Sequence, residues 1–329
     1  HAKEFILDGQ FGKVYNNAQI SARIDFLTKL PVSMKFLGSY STIDYFNMKY
    51  PFSMENSMAL NHQREMFAKI KFILPFLSQH KAEFSIGIAD IKDEYMPSNI
   101  LDLNTPEYDR NDMVLYGTGI RFEGNTLDAK VYSTSGMYES LTAQFITVTE
   151  KYRGITELPT NSIKQSWLQL GYIRRDHFDV GEKLTLGTYL QIFYSTRRLS
   201  HTYQSTMMQA GSFTPTMNSL FNYDPKFRAN QFVAGGITPI IKLNNFLQIR
   251  PSFYAFVPYR MIKEKSDGTA YYAGKRFNDF QYIGDFTVAA KFSNISVSAF
   301  ANYYSSHRNS VNFGITVGWF MFHERFIEQ

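Results

Sequence analysis

From Lys226 to Pro258 the sequence reads KFRANQFVAGGITPIIKLNNFLQIRPSFYAFVP, two alternating segments around a tight turn at Asn244-Asn245. Val233, Gly235, Ile237, Pro239 and Ile241 share one face of the first segment; Leu247, Ile249, Pro251, Phe253, Ala255 and Val257 share one face of the second. Successive strand residues point to opposite sides of a sheet, so the pattern predicts a hairpin with one nearly unbroken apolar face. The opposite face of the second segment carries Gln248, Arg250, Ser252 and Tyr254. An apolar outside over a polar inside is inverted for a small soluble barrel. It is what a strand between lipid and a wet lumen requires.

The pattern recurs. Between Glu4 and Phe322 the chain divides into about fourteen segments of roughly ten residues, the length a tilted strand needs to cross a bilayer. The clearest are 18–26, 65–74, 184–192, 295–303 and 311–321; partial alternation adds 4–14, 32–45, 81–91, 112–123, 137–149, 164–178 and 278–292. Short links at Lys29 to Pro31, around Gln79, at Gly181 to Lys183, at Asn244-Asn245 and at Ser293-Asn294 alternate with long polar ones at 46–60, 92–111, 150–163, 196–228 and 259–277. Barrels have this rhythm because every second connection is a short periplasmic turn. Three links break it: 124–136 is long where a short turn is expected, while Tyr15 to Asn17 and His307 to Ser310 are short where long loops are expected.

No run approaches the roughly 20 apolar residues of a membrane-spanning helix, and the mean hydropathy is −0.27. Aromatic residues nevertheless reach 16 % and gather at segment ends, as at Tyr40, Tyr45 and Phe46, at Tyr254, Phe256 and Tyr259, and at Tyr303 and Tyr304; rings at both rims are the interfacial girdles of a barrel. The prediction is an all-β fold, a transmembrane antiparallel β-barrel of the bacterial outer membrane. Residues 1–329 form one domain, with outer-membrane lipid around it. Cysteine is absent, which removes disulfides, thiolate nucleophiles and cysteine metal sites together. The net charge of +5 comes from 34 basic residues scattered among 29 acidic ones without a basic block, so nucleic acid is not an expected partner. Residue 1 is His, with neither an initiator Met nor a signal sequence ahead of the first segment. The expectation is an internal piece of a longer protein.

Catalytic signatures are missing. No G-x-S-x-G elbow occurs, and no two of the seven His have metal-ligand spacing. No catalytic residue, metal site or cofactor is expected within 1–329, and the adjacent Asp93 and Glu94 read as loop charge. The polar faces are more informative. Arg23, Asp25, Lys35, Glu65, Lys69, Lys71, Arg121, Glu123, Arg250, Asp285 and Lys291 all lie on them. A charge facing lipid near the midplane costs about 2–4 kcal/mol, so these are predicted to face the lumen. Their mixed signs point to a network that fills the lumen or holds a plug.

The stretch RFEGNTLD (Arg121 to Asp128), followed by YSTSG (Tyr132 to Gly136), resembles the periplasmic turn of the outer-membrane surface-antigen superfamily, with Ser133 where those turns carry proline. YMPSNI (Tyr95 to Ile100), SFTPT (Ser212 to Thr216), FRANQFVAGG (Phe227 to Gly236), FVPYRMI (Phe256 to Ile262) and ANYYSS (Ala301 to Ser306) are similar to the C-terminal barrel of bacterial patatin-like phospholipases. That resemblance implies a lipase domain, a small periplasmic domain and a sixteen-stranded barrel, in which five strands follow a long lid loop folded into the lumen. Counting from the loop 196–228 also leaves five segments, with about nine before it. The implied reading is a barrel with about fourteen strands present, sixteen in the full protein, and the lipase missing. Arg228, at the base of the loop, matches the superfamily arginine that enters the lumen and meets inward acids, with Asp285 as one partner. The function implied is a membrane anchor or translocation domain of a phospholipase, whose catalytic residues have no counterpart here. A porin or transport barrel, and a structural barrel subunit of a larger complex with other outer-membrane proteins, are the alternatives.

Overall fold

The computed structural model describes residues 3–12, 15–27, 31–45, 61–96, 108–154, 161–216, 219, 223–292, 295–306, 311–318 and 324–328. Nine strands come first: β1 (Lys3–Gln10), β2 (Tyr15–Leu27), β3 (Pro31–Tyr45), β4 (Asn61–Leu77), β5 (His80–Tyr95), β6 (Asp109–Asn125), β7 (Met137–Arg153), β8 (Asn161–Gly181) and β9 (Leu184–Ser195). A long loop then holds the helix α1 (Tyr203–Gln209) and two short strands, β10 (Gly211–Ser212) and β11 (Arg228–Ala229). Next come β12 (Gln231–Lys242), β13 (Leu247–Pro258), and a small hairpin of β14 (Ile262–Glu264) with β15 (Ala270–Tyr272). The last three are β16 (Gln281–Phe292), β17 (Ile295–Tyr304) and β18 (Val311–Gly318).

Fourteen of these make one antiparallel sheet in the order β1 to β9, β12, β13, β16, β17, β18, each bonded to its neighbours along the chain. Every predicted segment is a strand, with shifted ends. Tyr15 to Asn17, expected as a link, opens β2, where Asn17 pairs with Gln10 and Ser41. β5 runs on to Tyr95 and carries Asp93 and Glu94 into the ladder opposite Gln63 and His62, so they are not loop charge. The predicted links at 46–60, 293–294 and 307–310, residues 29 and 30 of the link from Lys29 to Pro31, and residues 319–321 of the last predicted segment lie outside the described residues, while Pro31 opens β3.

The β12–β13 hairpin keeps the predicted faces, with Val233 opposite Val257, Gly235 opposite Ala255 and Ile237 opposite Phe253. Its turn closes on the Asn244 side-chain oxygen, which accepts the N–H groups of Phe246 and Leu247 at 3.0 and 2.7 Å. The ladder lapses between Ile237–Phe253 and Ile241–Ile249. Pro239 and Pro251 face each other in that interval and neither has an N–H to donate.

One face of the sheet exposes Met66, Phe72, Phe84, Ile88, Tyr116, Phe145, Ile237, Phe253 and Phe286, while the other buries Glu65, Lys69, Lys71, Gln144, Gln169, Gln191 and Gln248. The long loop shows how the sheet curves. Its Tyr223 packs on Tyr45 of β3, its Ser205 bonds Asn111 of β6, and its Phe227 packs on Tyr304 of β17. β3 and β17 stand ten places apart in the strand order, so the sheet curls around the loop with its polar face inside. Among the described residues, β1 and β18 are each bonded on one side only.

Candidate functional site

Among the described residues, three segments outside the main sheet enter the concave side. The first is the loop between β9 and β12. Gly211–Ser212 pairs with Arg228–Ala229 and pins the loop's two ends together. Phe213 and Phe227 then pack on Phe256, each with ring centroids 5.8 Å away. Thr202 caps α1 by accepting the Ser205 N–H at 3.1 Å. At the other end, Arg228 Nη1 donates to the carbonyls of Met207 and Met208 at 3.2 and 3.1 Å, which the last turn of a helix leaves without partners. The guanidinium lies 4.9 Å from the Tyr223 ring centroid.

Buried polar groups on the extended strands hold the rest of this loop. Asp93 accepts from Gln63 at 2.8 Å and from Gln209 of α1. Asn111 donates to Glu150 at 2.8 Å and to Ser205 at 2.7 Å. Arg197 meets Glu150 at 3.6 Å and Gln209 at 3.2 Å, with its guanidinium 4.7 Å from the Trp167 ring centroid. Asp93 and Glu150 are fully buried, and a buried carboxylate persists only when it is paired or hydrogen-bonded.

The second segment is the long turn between β6 and β7, which enters from the opposite end because β6 and β9 run in opposite directions and finish at opposite ends of the sheet. Asp128 accepts the Thr134 and Ser135 N–H groups at 2.8 and 3.2 Å and the Thr134 hydroxyl at 3.0 Å. Burial alone would raise its pKa, but these bonds and the charge of Lys291 hold it below the usual carboxylate range. Gly136 has φ +87°, and a Cβ there would meet the Thr126 carbonyl oxygen at 2.1 Å, so only glycine serves. The clasp carries Tyr132 across the interior, where its hydroxyl donates to Ser298 at 2.7 Å. The Tyr132 and Ser133 carbonyls accept from Gln248 at 3.2 Å and Arg250 at 2.9 Å. The turn is long because its residues reach across the interior to β13 and β17.

The third segment is 324–328. Glu324 pairs with Lys71 and lies 3.3 Å from Lys35. Glu328 lies 3.2, 3.7 and 3.8 Å from Lys69, Lys71 and Arg121. Between them Arg325 meets Gln63 at 2.7 Å and Glu65 at 3.7 Å, and Phe326 is 2 % exposed. Burial would raise the Glu324 pKa, but Lys71, Lys35 and Lys69 outweigh it and hold the group at about 2. A cavity of about 580 Å³ remains between the three segments, lined in part by Arg175, His177, Arg250 and Asp285. Among the described residues no group of His, Asp and Glu could hold a metal ion.

The predicted charges divide as follows. Lys69, Lys71, Arg121 and Arg250 touch the inserted segments, and Glu123 pairs with Arg121 and, at 3.2 Å, with Lys81. Arg23 and Asp25 pair with each other at 2.7 Å near the end of β2 and remain partly exposed. Arg228 and Asp285 do not meet. The helix carbonyls take Arg228, while Asp285 accepts from Thr287 of its own strand at 2.8 Å. That pairing is corrected by α1, which the loop reading did not contain. His177 lies in β8 with Nε2 3.3 Å from the Ser133 hydroxyl. Asp93, Glu150 and 324–328 were missed. The signal for the last was a pair of acids two residues either side of Phe326, opposite inward lysines.

No protein-family model and no curated protein matches the sequence. Among solved structures, BamA from Haemophilus ducreyi lacking POTRA domains 1-3 is similar over 97 % of this chain, with TM-score 0.63 and 11 % identity. The chain spans 64 % of that structure. The copper transporter OprC (12 % identity, 91 % of this chain, 46 % of the other) and BauA, the ferric preacinetobactin receptor from Acinetobacter baumannii (10 %, 91 % and 49 %), have TM-scores of 0.41 and 0.42 and carry no argument. The chain is an all-β protein built on one antiparallel sheet, and its fold is similar to that of the BamA structure.

Proposed function

We propose that the strands close into a barrel with a filled, non-conducting lumen, and that the chain serves as a structural barrel subunit of a larger outer-membrane assembly. The observation that supports this reading is the occupation of the concave side by three separate segments, two of them entering from opposite ends and tied to strands all round the sheet. A solute channel needs continuous wet space, and bonds such as Tyr132 to Ser298 cross it. Planar-bilayer recording of the purified chain tests the idea. The expected result is no steady open state; a large steady conductance would instead support a porin or transport barrel.

A second reading is the anchor or translocation domain of a patatin-like phospholipase, in a barrel of sixteen strands. It is favoured by the way SFTPT and FRAN, the motifs behind the resemblance, are bonded neighbours at Gly211–Ser212 and Arg228–Ala229. In this reading Arg228 is the lid anchor, and catalysis lies outside residues 1–329. The sequence upstream of His1 tests it: a G-x-S-x-G elbow there supports it, and a chain without one refutes it.

A further inference from the structure

Gly87 of β5 and Gly117 of β6 lie directly opposite each other in the ladder. Two glycines across from one another leave a dent in the inner wall, and the Phe326 ring occupies it. A Cβ added at Gly117 would come within 3.1 Å of the ring's Cζ, and one added at Gly87 within 3.2 Å of its Cε2. Phe67 closes one side of the slot with ring centroids 6.2 Å apart. Ile146, the partner of Gly117 on β7, belongs to the same apolar cluster.

The backbone around the ring is read as closely as the ring. Phe326 N–H donates to Glu65 at 2.6 Å, and its carbonyl accepts from Gln144 at 3.3 Å. The Arg325 carbonyl accepts from Lys69 at 2.8 Å. Glu328 N–H donates to Gln144 at 3.1 Å, and its carbonyl accepts from Gln169 at 2.6 Å. All these wall groups are side chains, so the segment is held without joining the sheet. Its two carboxylates sit on the ammonium groups of Lys35, Lys69 and Lys71. An apolar slot beside a cluster of lysines that both carboxylates share, with side chains aimed at peptide N–H and C=O groups, has the anatomy of a peptide-binding site.

We propose that the inner wall of β3 to β8 is a binding site for a short, bent peptide with an aromatic residue flanked two positions away on each side by carboxylates. Glu324–Glu328 is its resident ligand, a plug that another segment of the same pattern can displace. The inference rests on the filled-lumen reading and gives the plug a recognition chemistry. Because the segment is tethered, its effective concentration is high, and a free peptide competes poorly while it is docked.

The test is fluorescence anisotropy with a labelled, end-blocked Glu-Arg-Phe-Ile-Glu peptide, on the intact chain and on one lacking residues 324–329. The expected result is saturable binding to the shortened chain and binding at least about 30-fold weaker to the intact one. A peptide carrying F326A should lose at least about 30-fold, the loss typical of a buried aromatic anchor. Equal binding to both chains, no binding to a shortened chain that still shows heat-modifiable migration, or indifference to F326A overturns the proposal. Should the shortened chain not fold, the full-length F326A chain replaces it. It should bind the peptide at least about 10-fold more tightly than the intact chain, and no difference overturns the proposal. A conducting intact chain that still shows competition overturns only the filled lumen; a closed chain without competition overturns only the peptide site.

Discussion

Lys71→Met tests the charge network most directly. Lys71 is 2 % exposed, and its ammonium is shared by Glu324, by Glu83 at 3.3 Å and by Glu328 at 3.7 Å. Methionine keeps the apolar stem and removes only the charge. Breaking a buried ion pair by deleting one partner costs about 3–5 kcal/mol, because the other charge is left uncompensated. The low end applies here, since Glu83 keeps Lys81, Glu324 keeps Lys35 and Glu328 keeps Lys69. A loss of about 3 kcal/mol multiplies the undocked population of 324–328 by about 150. Trypsin reads that population, because the bond after Arg325 is shielded while Phe326 sits in its slot. When closing is faster than cleavage, the rate follows the open fraction, so release of the fragment beginning at Phe326 should accelerate about 150-fold. Lys71→Met/Glu324→Gln should recover part of the loss, because one stranded carboxylate is removed with its partner. Cleavage within about twofold of the unmodified chain, in a barrel that still migrates as folded, would refute the reasoning; the discriminating range is set by the pair energy.

Docking of 324–328 should weaken in acid. The Glu324 pKa is depressed from 4.5 to about 2, so its contribution is complete above the ordinary value and is lost as the pH falls from there toward 2. The charges acting on it are Lys71 and Lys69 of β4 and Lys35 of β3, while Glu83 of β5 and Glu328 share Lys71 with it. Acrylamide quenching of Trp167 in a Trp319→Phe background should rise over that window and stay flat above it; a rise centred near neutrality counts against the assignment. Arg228→Ala should raise the rate of protease nicking within 196–228 by about 10–100-fold, the equivalent of roughly 1.5–3 kcal/mol for lost charged hydrogen bonds. Arg228→Lys should fall between, and unchanged protection would end the anchor role. Phe253→Arg, near the middle of β13 on the exposed face, should lower stability in lipid by about 2–4 kcal/mol in urea titration; a neutral result would mean that this face does not meet lipid.

The sheet was legible in the sequence because its code is local. A strand between lipid and a polar interior must alternate at period two, and each segment, such as 65–74 or 246–258, carries that signal by itself. The length of 124–136 was also visible as an anomaly, though not its cause. The strand extensions were harder. Asp93 and Glu150 lie where hydrophobic alternation has faded, so polar residues there look like loop. They face inward, where Gln209 and Ser205 of α1 and the neighbouring Arg197 meet them.

What the sequence by itself determined is the antiparallel sheet, with fourteen strands among the described residues and five of them after the long loop. Each strand follows from short-range periodicity. Only the tertiary structure decided which groups meet. Arg228 goes to helix carbonyls instead of Asp285, and Lys71 joins Glu83 to Glu324, more than two hundred residues further on. Pairings across a curved interior depend on curvature, register and the depth of each insertion, and none of these is written in the alternation of any single strand.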